Sequence, residues 1–301
     1  MPLQPHATLP RTDRERIAVL TDTCADIPPE LARERDITVI PLRVGYPEGD
    51  YQDGVDITPE EVYRRMPQEV PKTSLPMGET VLAAFDRIRD AGYEKAVALI
   101  FSSGISGTYS AIKMMAQDYK DLEIAVFDTK SASLGLGTMA LQVWDYIRAG
   151  MGWQELLSRI PALIDGTSIF FSLDTLEYLQ RGGRIGRITC MAGTMLQIKP
   201  IISFAEDGQL ASVGKVRGRA KSMEELARRV RELVPAGKPY NLAVANGGCP
   251  EDVQALKELL APEIAGSHRF YEGVIDCTLA SHVGPHLIGA GIQILPEDAP
   301  L

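Results

Sequence analysis

Across residues 16–150, short aliphatic and β-branched runs alternate with segments whose apolar residues recur at helical spacing, and this alternation restricts the fold more than any other feature. The stretch AVALIF at 96–101 is an unbroken apolar run of strand length, as found in a parallel strand buried on both faces. Residues 16–21, 37–42 and 123–128 read as its partners, with Pro41 marking an edge or a strand end. Thr58-Pro59-Glu60-Glu61 opens a helix, with a hydroxyl at the N-cap, proline at the first position and acids in the first turn. Val81, Leu82, Phe85 and Ile88 form one apolar helix face that stops at Gly92. A helix bearing Tyr109, Ile112, Met115 and Ala116 follows the buried strand, and another runs on to about Gly150. Strands alternating with helices give a Rossmann-like parallel sheet.

The pattern changes near residue 166. Residues 168–172 read as a strand and 173–180 as a short helix ended by Gly182-Gly183. Runs 200–204 and 210–216 flank Glu206-Asp207-Gly208, the signal of a hairpin. Helices at about 221–233 and 251–260 follow, with strands near 240–245 and 269–275. The expected fold class is α/β, with a Rossmann-like parallel-sheet domain over 16–165 and an α+β domain with a mixed sheet over 166–301. A flexible tail, 1–15, precedes them. A length of 301 residues suits two domains.

Charge and cysteine usage remove several function classes. With 31 Lys+Arg against 40 Asp+Glu the formal net charge is −9, which argues against a nucleic-acid surface. No apolar run approaches the ~20 residues of a membrane helix, so a membrane-integral chain is not expected. The first residues lack the apolar stretch of a signal peptide, and a cytoplasmic location is expected. Cys24, Cys190, Cys249 and Cys277 form no CxxC pair, which argues against a metal centre or a disulfide framework. Neither GxxxxGK[ST] nor GxGxxG occurs, so no nucleotide cofactor is expected.

Four segments place polar and glycine residues where a plain α/β fold does not need them: 22–26, 73–76, 102–108 and 281–285. The third lies between a buried strand and a helix, where ligands of parallel sheets bind. Its glycines permit close backbone approach, its hydroxyls suit a carboxylate or phosphate, and N–H groups opening the next helix favour an anion. Helix capping accounts for the same residues. Gly104-Ile-Ser-Gly107 resembles a nucleophile elbow without satisfying GxSxG. The enzyme alternative is a phosphotransferase or hydrolase acting on a small carbonyl compound, using Ser103, Ser106 and one of His268, His282 or His286. Arg181 and Arg184 either present a cation to an anion or serve a helix C-terminus. Lys215, Arg217 and Arg219 read as a solvated strand end or a partner-docking edge. Met114, Met115, Met139, Met191 and Met195 suit a core or the wall of an adaptable apolar tunnel.

Taken in order, TDTCADIP (21–28), YQDGVDIT (51–58), KTSLP (72–76), SSGISGTYSA (102–111), FDTKSASLGLG (127–137), LEYLQRGGRIG (176–186), IKPII (198–202) and SHVGP (281–285) resemble the DegV family over nearly the whole chain from residue 16. The resemblance implies a two-domain α/β protein that binds one long-chain fatty acid, such as palmitate, in a tunnel between or beneath the domains. Some members serve as the acyl-binding, non-catalytic subunit of a bacterial fatty acid kinase, whose separate ATP-dependent partner phosphorylates the carboxylate. The fold is also similar to the substrate domain of dihydroxyacetone kinases.

By the same resemblance, the carboxylate-binding positions are Thr73, Ser74, Ser102 or Ser103, Gly104 and His282. No cofactor is implied beyond the fatty acid as ligand. A buried carboxylate needs hydrogen-bond donors, which hydroxyls and helix-start N–H groups supply. Lys72 is the only cation in those loops. A buried hexadecanoyl chain offers about 0.8 kcal/mol per CH₂, roughly 10 kcal/mol before ordering costs. The chain departs from the family pattern at Leu75, where Gln is usual, at His286, where Gly is common, and at Gly218, where Thr often follows KVR. The first bears on the pocket rim and the other two on contact with a kinase.

Overall fold

The computed structural model describes residues 15–188 and 197–300. The first part alternates as the apolar pattern requires. β1 (Ile17–Asp22) leads through a 3-10 turn (Thr23–Ala25) to α1 (Pro29–Glu34) and β2 (Thr38–Ile40). β3 (Arg43–Tyr46), β4 (Gly49–Gln52), α2 (Pro59–Arg65), β5 (Lys72–Ser74) and α3 (Gly78–Asp90) follow. Then come β6 (Lys95–Ile100), α4 (Thr108–Asp118), β7 (Glu123–Asp128), α5 (Ser133–Arg148) and α6 (Trp153–Asp165).

The second part contains β8 (Thr167–Ser172), α7 (Glu177–Arg181), β9 (Ile198–Phe204), β10 (Leu210–Arg217) and α8 (Arg219–Leu233). It continues with β11 (Tyr240–Asn246), α9 (Pro250–Leu259), α10 (Ala261–Gly266), β12 (Arg269–Val274), α11 (Cys277–Val283) and β13 (Ile288–Ile294).

β2-β1-β6-β7 form a four-stranded sheet in which every pair is parallel. Val97 to Ile100 of the central β6 are fully buried, because helices cover both faces. The second sheet, β10-β9-β8-β13-β11-β12, is mixed: β11 and β12 pair in parallel and the other neighbours are antiparallel. The expected hairpin joins β9 to β10, with Phe204 opposite Leu210 and Gly208 at φ +77° in the turn. A small antiparallel sheet, β4-β3-β5, was not anticipated from sequence; it holds Thr73 opposite Val44. Nor was β13, whose Gly289 and Gly291 weaken the strand pattern. The helix expected at 173–180 is only the short α7.

α5 lies between the two larger sheets and is buried nearly all round, as its apolar composition requires. An alanine methyl at Gly137 would stand 2.3 Å from the Ala25 carbonyl oxygen, so this helix packs directly on the turn after β1. Buried Asn241 donates to both Gln142 of α5 (3.0 Å) and Gln293 of β13 (2.9 Å), which ties α5 to the mixed sheet.

Of the methionines read as core, Met139 is fully buried, but Met114 is 61% exposed because it lies on the outer face of α4. Met191, Met195 and Cys190 lie outside the described residues, as does the expected tail except Glu15. Glu15 accepts hydrogen bonds from Lys95 and the Trp153 amide. Among the described residues, no helix is long and apolar enough to cross a membrane.

Candidate functional site

The polar segments after β1, around β4 and before α11 converge on one junction. Asp53 accepts from the Cys277 amide (3.0 Å) and from the amide (2.9 Å) and hydroxyl (2.6 Å) of Thr278. Asp276 caps the same helix by accepting from the Leu279 amide at 2.7 Å, and Asp26 accepts from the Asp276 amide at 2.8 Å. Asp22 accepts from the amides of Cys24 and Phe101, both at 3.0 Å. Burial raises the carboxyls of Asp22 and Asp26 to about 7 and pushes Asp276 well above the ordinary range. These acids fix the start of α11, and so the place of the side chain near its end, His282.

His282 Nε2 is 2.8 Å from Thr73 Oγ1, a hydrogen bond between α11 and β5. Burial, with the Arg184 charge as a lesser cause, lowers the His282 imidazole to about 4. It is therefore neutral near pH 7. Its Nδ1 is buried and has no hydrogen-bond partner among the described residues. The RGGR segment packs over it. A methyl at Gly182 would stand 2.2 Å from His282 Nδ1, and one at Gly284 would stand 2.3 Å from the Tyr178 ring. The glycines of RGG and HVGP thus let α7 and α11 approach closely.

Arg184 turns back from this segment, donating Nε to the Ile105 carbonyl (3.2 Å) and Nη1 to that of Gly182 (2.7 Å). These contacts bring its guanidinium beside the 102–108 loop. Ser106 of that loop accepts from the Thr108 amide at 3.2 Å and shares a 2.9 Å bond with the Thr108 hydroxyl, at the first residue of α4.

Thr73, Ser74, Ser106, Arg184 and His282 together line one region of a cavity of about 290 Å³. Elsewhere its wall is mainly apolar, with Leu134 of α5, Phe170 and Phe171 of β8, Ala290 of β13, and Phe204 and Leu210 of the hairpin. Ser133 and Thr278 also line it, but their hydroxyls already donate to Asp26 and Asp53. The chemistry of the cavity is that of an amphiphile's container: a largely apolar wall with one cluster of hydroxyl, imidazole and guanidinium groups.

Three of the six positions named from sequence, Thr73, Ser74 and His282, border this cavity, whereas Ser102, Ser103 and Gly104 do not. Ser102 is fully buried and donates to the Gly208 carbonyl at 2.7 Å. A methyl at Gly104 would stand 2.2 Å from the Gly208 carbonyl carbon, so the loop and the hairpin turn meet backbone to backbone. Ser103 donates to Asp128 and accepts from Lys130 at 3.1 Å. These residues join the two sheets, and their neighbours Ile105, Ser106 and Gly107 reach the cavity instead. Lys72 is exposed and does not line it; the cation on the wall is Arg184. Leu75, where the family pattern has Gln, forms part of the rim and is 43% exposed. His286, where Gly is common, is exposed at φ +65°, and Gly218 takes φ +90°.

The profile of the DegV family matches residues 16–295. The chain belongs to the DegV family. A DegV domain-containing protein of Clostridium acetobutylicum is 34% identical over 279 residues, covering 91% of this chain and 98% of the relative. Among solved structures, a fatty-acid-binding DegV family protein from Thermus thermophilus superposes with a TM-score of 0.86 at 28% identity, covering 93% of this chain and 100% of that one. A stearic-acid-binding protein from Eubacterium ventriosum gives 0.83 at 27% identity, covering 92% and 98%. DegV of Bacillus subtilis, described as a fatty acid binding protein, gives 0.84 at 25% identity, covering 93% and 100%. The parallel four-stranded sheet and the mixed six-stranded sheet are those of the DegV fold.

Proposed function

We propose that this protein binds one long-chain fatty acid, with its hydrocarbon chain in the apolar cavity and its carboxylate at the Thr73–Ser74–Ser106–Arg184–His282 cluster. The observation that carries this reading is a largely apolar cavity whose hydroxyl, imidazole and guanidinium groups lie in one region, around the Thr73–His282 hydrogen bond. The fatty acids held by the Thermus and Eubacterium proteins support it. Arg184 and the hydroxyls supply the charge-assisted bonds that a carboxylate taken out of water requires. The chain supplies most of the affinity, at about 0.8 kcal/mol per buried CH₂.

The role in the cell is carriage of the acid, or its presentation to an ATP-dependent fatty acid kinase. In the second case a carboxylate oxygen attacks the γ-phosphorus of ATP at the rim, giving acyl phosphate and ADP. His282 is neutral near pH 7, so the positive charge beside the carboxylate is that of Arg184.

Native mass spectrometry of the purified protein, followed by organic extraction, tests the binding. One fatty acid per chain is expected. A lipid-free protein that also ignores added palmitate and oleate would overturn it. Trapping acyl phosphate with hydroxylamine, after addition of ATP and a fatty acid kinase, tests presentation separately.

A further inference from the structure

The cavity has a second neighbour. A hydrophilic pocket of about 260 Å³, bordered by Lys130, Ser131, Asp165, Thr167, Ser168 and Glu206, lies against the same part of β8. Two side chains, Ile169 and Phe204, line both spaces. The position of Ile169 along β8 follows from strand register. β8 leads at its carboxyl end toward α7 and Arg184, and the pairs Phe171–Gly289, Phe170–Ala290 and Ile169–Gly291 step away from that end. At about 3.3 Å per residue, Ile169 lies roughly 7 Å farther from the carboxyl end of β8 than Phe171 does.

Ile169 is also seated with little freedom. A methyl at Gly135 of α5 would stand 2.6 Å from its Cγ2, and one at Gly291 would stand 2.9 Å from the same atom. Two glycines thus leave room for one branched side chain, which fills the gap between α5 and β13. Beyond it the surroundings change from hydrocarbon to hydroxyl, carboxylate and ammonium groups, where an acyl methyl end gains nothing by leaving water.

We propose that Ile169, backed by Phe204 and held by Gly135 and Gly291, is the partition that ends the acyl cavity and sets the longest chain the protein accepts. The inference rests on the fatty-acid reading above. It makes the partition a length stop, and the two glycines part of the same device, since both border the cavity and a methyl on either takes up space within it.

The test is a competition among saturated acids of 12 to 22 carbons, read by native mass spectrometry, for the wild type and for Ile169→Ala, Phe204→Leu and Gly291→Ala. Opening the partition with Ile169→Ala should raise uptake of acids two to four carbons beyond the wild-type limit about tenfold relative to the wild-type preferred acid. Gly291→Ala should move the limit the other way. Phe204→Leu keeps the test valid if Ile169→Ala fails to fold, because it thins the same wall while retaining a core side chain. A wild type that binds fatty acid, with an unchanged length profile in the folded variants, overturns the partition and leaves the binding reading intact. A wild type that takes up no acid of any length overturns both.

Discussion

Thr73 Oγ1 and His282 Nε2 stand 2.8 Å apart although 209 positions separate them in the chain. The bond joins the small antiparallel sheet to the short helix α11, and it marks the polar region of the cavity. Thr73→Val keeps the shape of the side chain and removes its hydroxyl. It should weaken fatty-acid binding by about 1–3 kcal/mol, since an acceptor or donor at the site is left unpaired. Displacement of a fluorescent fatty acid measures this, and an unchanged affinity would take Thr73 out of the site.

Arg184 is the one cationic side chain among the described residues that line the cavity. Arg184→Gln should lower affinity for a fatty acid by about 1.5–3 kcal/mol, the range of a charge-assisted hydrogen bond. Affinity for the corresponding fatty alcohol should change far less, because the alcohol carries no charge. Equal losses for acid and alcohol would assign Arg184 to holding the loop through Ile105 and Gly182 rather than to the ligand.

Gly182 and Gly183 are adjacent but do different things. A methyl at 182 meets His282 Nδ1 at 2.2 Å, whereas at 183 nothing lies within 4 Å and the demand is φ +68°. Gly182→Ala should therefore displace the imidazole and reduce binding at least tenfold. Gly183→Ala should cost about 1 kcal/mol of stability through its backbone and leave binding nearly intact. Isothermal titration with urea unfolding of both variants separates the two effects.

Ser103 gives a contrasting outcome. Its hydroxyl donates to Asp128 and accepts from Lys130, away from the cavity wall. Ser103→Ala should lower stability by about 1 kcal/mol and change fatty-acid affinity less than threefold. A larger loss of affinity would mean that the 102–108 loop presents Ser103 to the ligand after all.

The low His282 value makes stability depend on pH in a defined direction. In the unfolded chain the imidazole takes up a proton as pH falls below about 6.5, whereas in the folded protein it does so only near 4. Its contribution is thus fully present above 6.5 and is lost as pH falls toward 4, amounting to about 3 kcal/mol at most. Between pH 7 and 4.5 the wild type should lose roughly 2 kcal/mol more than His282→Gln does, measured by urea unfolding at both pH values. Parallel losses in the two proteins would show that His282 is not the group responsible.

Much of the architecture was decided by local pattern. The buried run at 96–101 forms the central parallel strand β6, the Asp-Gly signal makes the β9–β10 hairpin, and α8, α9, β11 and β12 fall within about two residues of their apolar periodicities. These features depend on hydrophobic period and turn chemistry, which any stretch of sequence carries within itself. The order of the polar motifs was likewise enough to indicate the family.

Other features depended on contacts between distant segments. β13 hides behind Gly289 and Gly291, whose missing side chains make sense only beside Phe171 and Ile169. Asp26 lies in one of the polar segments singled out from sequence and Asp53 in a family motif, but the fold sets both, with Asp276, at the start of α11, where their oxygens are used by backbone amides. Sequence named the 102–108 loop, but only tertiary packing decided that Ser102 and Ser103 turn to the hairpin and Asp128 while Ser106 turns to the cavity. It also decided that Arg184, rather than Lys72, faces the cavity. Residue type determines which hydrogen bonds and charges a side chain can offer. The direction in which it offers them is set by neighbours that lie up to 250 positions away, as between Asp26 and Asp276.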